Sequence, residues 1–161
     1  MCAALLLSLV GCAPERDLLA PFRGAFCAEV EGTLDSVSFS ARIEAEAAEP
    51  GGARAVTVTF YAPETLCGTV VAQDRDGRQT ISYKELCLEL PVTDEGGYGA
   101  LLSLFPTEGA PSSVTLTDSG NSKVAGDGYE LEFLADGTPI LVAGGSVRAT
   151  VISFREGSPC G

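Results

Sequence analysis

The sequence predicts a mainly β (α+β) domain: an antiparallel sheet with one short helix packed on it. Three observations point there. Apolar residues alternate with polar ones over most of the chain between residues 25 and 154, the period of a strand with one wet face. Clusters of Gly, Asp, Asn and Pro interrupt these stretches at short intervals and mark turns. Only one stretch repeats its apolar residues at helical spacing.

Taken in order, Ala25 to Thr33 alternates Phe26, Ala28 and Val30 against Cys27, Glu29 and Glu31. Leu34, Asp35 and Ser36 turn the chain, and Val37, Phe39, Ala41 and Ile43 then alternate with Ser38, Ser40, Arg42 and Glu44. These two stretches form a hairpin. After a Glu49-Pro50-Gly51-Gly52 loop, Val56, Val58 and Phe60 alternate with Thr57, Thr59 and Tyr61 until Pro63, which cannot donate to a ladder, stops the strand. A further hairpin closes on Asp74-Arg75-Asp76-Gly77, where Gly77 supplies the positive φ of such turns. From about Asp94 to Phe105, Tyr98, Leu101, Leu102 and Phe105 fall at i, i+3, i+4 and i+7, one apolar stripe of a helix that Thr93, Asp94 or Glu95 caps and Pro106 ends. Gly96, Gly97 and Gly99 weaken its first turn by up to about 1 kcal/mol each, so it depends on docking. Strands return at Ser113 to Thr117, Lys123 to Ala125, Tyr129 to Leu134, Pro139 to Ala143 and Val147 to Phe154.

At the N-terminus, an uncharged apolar run leads into Leu9-Val10-Gly11-Cys12. It resembles a bacterial lipobox, in which small residues precede a cysteine whose thiol accepts diacylglycerol. The expected organisation is therefore a signal peptide over 1–11, a lipidated Cys12 with its spacer over 12–23, and one domain over 24–161. The formal net charge of −12 opposes binding to nucleic acid and electrostatic docking on anionic lipid. No later segment has the 18 or so apolar residues of a spanning helix, so the membrane partner is reached through the diacylglycerol anchor.

Catalytic chemistry is poorly supplied. The chain has no His, which removes Ser-His and Cys-His pairs. Lys84 and Lys123 lie outside any SxxK spacing, and Gly96-Gly97-Tyr98-Gly99 matches no phosphate-binding loop. Asp74, Asp76 and Glu85 occupy positions 1, 3 and 12 of an EF-hand count, but Gly77 falls at position 4 and Arg78 at position 5. The expectation is no enzyme, no catalytic residue, no metal and no cofactor. Four cysteines lie beyond Cys12: Cys27, Cys67, Cys87 and Cys160. They allow three disulfide pairings, with free thiols the alternative. Cys67 and Cys87 share the polar face of their strands and are expected to pair, which leaves Cys27 and Cys160 to join the chain ends.

The order of elements, with Phe60-Tyr61-Ala62-Pro63-Glu64 after the third strand and Asp136-Gly137-Thr138-Pro139 before the closing ones, resembles the LolA-like half-barrel superfamily. Those are the periplasmic lipoprotein carriers and their lipid-anchored relatives. The resemblance implies a curved antiparallel sheet forming an open half-barrel, with the helix on its concave face and an apolar cavity for acyl chains. Sheet geometry independently leaves part of one apolar face uncovered by a single short helix. The candidate lining is Phe26, Val30, Phe39, Ile43, Val58, Phe60, Leu101, Leu102, Phe105, Leu131 and Phe133. The expected function is a membrane-anchored extracytoplasmic lipoprotein that binds lipid or another hydrophobic ligand. The uncovered part of the face is either a pocket or a packed core; with a packed core the alternative is a non-enzymatic module that binds an envelope protein or senses envelope state, and the last alternative is an envelope-polymer hydrolase.

Overall fold

A computed structural model describes residues 17–49, 53–91, 97–108 and 110–157. A helical turn, α1 (Ala20–Arg23), precedes β1 (Phe26–Leu34), β2 (Val37–Ala45), β3 (Val56–Ala62), β4 (Thr69–Gln73), β5 (Gln79–Tyr83) and β6 (Leu86–Leu90). The second helix, α2 (Tyr98–Leu102), leads to β7 (Ser113–Leu116), β8 (Ser122–Gly126), β9 (Tyr129–Phe133), β10 (Pro139–Gly144) and β11 (Val147–Glu156).

Among the described residues, eleven strands form one antiparallel sheet in the order β6-β5-β4-β3-β2-β1-β11-β10-β9-β8-β7. The end strands β6 and β7 do not pair with each other, so the half-barrel is open, as the resemblance implies. Its concave face is set by matched apolar rows. Val114, Val124, Leu131, Val142 and Ala149 sit opposite one another across five strands, and the row continues through Gly32 to Phe39. A second row runs Val58, Val71, Ile81, Leu88.

Gly32 lies in close contact with the backbone of β11. A Cβ there would stand 2.6 Å from the Ala149 Cα and 2.7 Å from its Cβ, which is why the middle of β1 has no side chain at this point.

Two expectations are corrected. The helix is shorter than the stripe from Asp94 to Phe105: it covers Tyr98–Leu102, and residues 92–96 lie outside the described ones. Gly97 takes a positive φ of 56° and breaks the helix upstream, while the Ser103 hydroxyl donates to the Gly99 and Ala100 carbonyls at its end. The last part of the segment expected as spacer, from Leu19 to Arg23, is part of the fold, because Leu19 and Phe22 around α1 are buried in the core; residues 12–16 lie outside the described ones.

Candidate functional site

All eleven expected lining residues face inward and come together in one hydrophobic cluster, each at most 4 % exposed. What fills the space between them is α1. The Phe22 ring lies 5.1 Å from Phe105, 5.8 Å from Phe133, 5.7 Å from Phe154 and 6.1 Å from Phe26. These separations suit edge-on and offset aromatic packing. α2 covers the neighbouring part of the face over β3 and β4, where Tyr98 meets Phe60 edge-on at 5.9 Å. The centre of the concave face is thus packed by two short helices.

One cation holds both helical segments in place. The buried Arg54 guanidinium donates from Nη1 to the Phe22 carbonyl at 2.6 Å and from Nη2 to the Phe105 carbonyl at 3.0 Å. It also stands 5.2 Å over the Phe26 ring. Those carbonyls belong to α1 and to the turn after α2, so Arg54 satisfies acceptors that short helices leave open. Burial pushes its pKa down to about 10, and the side chain stays charged near neutrality. Arg23 adds a lateral tie from α1 to the Thr107 carbonyl at 3.1 Å.

Beyond α1 the concave face is uncovered. A groove of about 740 Å³ is lined by Leu18, Ala110, Pro111, Val114, Leu116 and Leu134, with Asp17, Ser122 and Ala135 completing it. Its volume lies within the range of small-molecule sites. Leu116 is 78 % exposed, Val114 55 % and Leu134 40 %, a contiguous apolar surface rather than scattered side chains. At its edge the Asp17 carboxylate bonds the Arg23 guanidinium and accepts from the Leu19 amide. The Arg23 bond is the main cause holding its carboxyl below the usual 3.8.

None of the expected lining residues borders this groove. Val114 and Leu116 have a sequence signal, their alternation with Ser113 and Thr115, but their place at an open edge has none. Arg54 has no signal at all. Among the described residues, no cluster of His, Cys, Asp or Glu is arranged to hold a metal ion.

The expected Cys67–Cys87 disulfide is corrected: both thiols are free and exposed. Cys67 lies in the turn before β4, and β5 separates that strand from β6, which carries Cys87. Two strand spacings of about 4.8 Å exceed the reach of a disulfide. Cys27 is buried in β1 and is not a free thiol. Cys12 and Cys160 lie outside the described residues.

No family model and no curated protein matches the chain. Solved structures match its fold. An uncharacterized conserved protein from Thermus thermophilus is 17 % identical, with a TM-score of 0.52 over 87 % of this chain and 83 % of that one. A putative outer membrane lipoprotein-sorting protein domain from Vibrio parahaemolyticus is 11 % identical, with a TM-score of 0.50 over 86 % and 87 %. MucB is 13 % identical with a TM-score of 0.52; the match covers 89 % of this chain and 57 % of MucB. At these identities the likeness is one of fold.

Proposed function

We propose that this chain is a non-enzymatic lipoprotein, anchored through diacylglycerol on Cys12 at the extracytoplasmic face of the membrane, that binds lipid or another hydrophobic ligand. The single observation that carries the reading is the apolar groove at the β7 end, where the concave face continues past α1 without cover. Its site is therefore the groove and not a closed cavity under α2. The likeness to a lipoprotein-sorting domain supports the choice of ligand class.

Native mass spectrometry of protein purified from membranes tests it. Wild type should carry a co-purified lipid, and Leu116→Asp, which places a charge on an exposed groove position, should lose most of it without losing its fold. Lipid-free wild type would remove the ligand reading. The packed centre of the concave face favours a second reading, a module that recognises an envelope protein through the same exposed residues.

A further inference from the structure

We infer that the groove at the β7 end opens onto the leaflet that holds the anchor, and that its occupant is an acyl chain taken from that leaflet. This rests on the lipid-anchored reading above. Asp17, in the groove wall, is separated from Cys12 by residues 13–16. Even fully extended, the five steps from Cys12 to Asp17 span only about 17 Å. A lipid on Cys12 therefore keeps the groove wall within about that distance of the anchor, because the described chain starts at the groove itself.

The surface at that point suits hydrocarbon. Leu116, Val114 and Leu134 project apolar area, and the one carboxylate in the lining, Asp17, is bonded to Arg23. Electrostatics cannot supply the contact, since a chain of net charge −12 gains nothing from anionic head groups. The attraction is hydrophobic and local. The β1–β2 turn, by contrast, adjoins β2, six strands from β7 in the sheet order. Its exposed Val37 serves as a control position facing water.

The chain has no Trp, so single reporters are available at both positions. The full-length lipidated protein carrying Leu116→Trp, or Val37→Trp, is reconstituted on phosphatidylcholine vesicles with acyl-brominated phospholipid, and co-flotation is measured on the same sample. The expected result is at least twofold quenching of the Leu116→Trp emission, with the Val37→Trp emission unchanged. Val114→Trp is a second reporter in the same groove. Vesicle-bound protein with no quenching at Leu116 and Val114, or with equal quenching at Val37, overturns the inference and favours a protein partner. The Cys12→Ser form with a brominated fatty acid in solution separates the two claims. Saturable quenching there with none on vesicles leaves the groove reading standing and rejects the orientation. No quenching in either arm rejects both.

Discussion

Replacing Arg54 with Met tests how the helices are held on the sheet. Met keeps much of the side chain's length and apolar stem but has no donor for the Phe22 and Phe105 carbonyls. Burial lowers the Arg54 pKa to about 10, which corresponds to roughly 3 kcal/mol spent in keeping the charge from water. Against this stand two charge-assisted hydrogen bonds of about 1.5–3 kcal/mol each and a cation–π contact with Phe26 of about 1 kcal/mol. The bonds outweigh the burial by about 1–4 kcal/mol, so Arg54→Met should cost about 2 kcal/mol, or about 4–8 °C in Tm for a domain of this size. Urea titration followed by circular dichroism measures it. The desolvation cost is relieved only as pH rises through about 10, so the difference between the two proteins should be flat around neutrality. A variant as stable as wild type, or more so, would show that burial of the charge outweighs the bonds it makes and would refute the clasp.

Three further outcomes are expected. Gly32→Ala drives a methyl into the β11 backbone at Arg148 and Ala149 and should cost about 3 kcal/mol, seen as a lower urea midpoint at unchanged slope; a neutral result would mean the strands are not held this close. The Arg23 bond lowers the Asp17 pKa, so the stability it gives is present above the ordinary value of 3.8 and is lost as pH falls through the lowered value. Thermal melts of Asp17→Asn should lack that acid-side loss. Alkylation of the native protein should label Cys67 and Cys87 and spare Cys27, and a non-reduced peptide map should join Cys27 to Cys160; a Cys67–Cys87 peptide would contradict the strand order.

How much of this was readable in the sequence differs by element, for physical reasons. β1 to β3 announce themselves because each has one buried and one wet face, and a period of two records that directly. The same period records which way Val114 and Leu116 point, but not that β7 ends the sheet, because position in a sheet is a long-range property. Strand order also defeats the Cys67–Cys87 expectation, since β5 intervenes. Arg54 is visible only once Phe22 and Phe105 are brought beside it.

Of the two expectations for the concave face, pocket or packed core, its centre takes the packed form for one identifiable reason. Alternation shows that Phe26, Leu131 and Phe133 point inward but not whether the interior they face is filled. The filler is Phe22, from the four-residue α1, a helix too short to display a 3.6-residue period and carrying Pro21 in its first turn. With Leu19, it turns a segment that reads as a tether into a plug. Open space then persists only where the plug ends, between Leu18 and β7. The same short segment closes the middle of the half-barrel and leads the chain from the groove toward Cys12, so closure of the core and placement of the groove beside the proposed anchor have one structural cause.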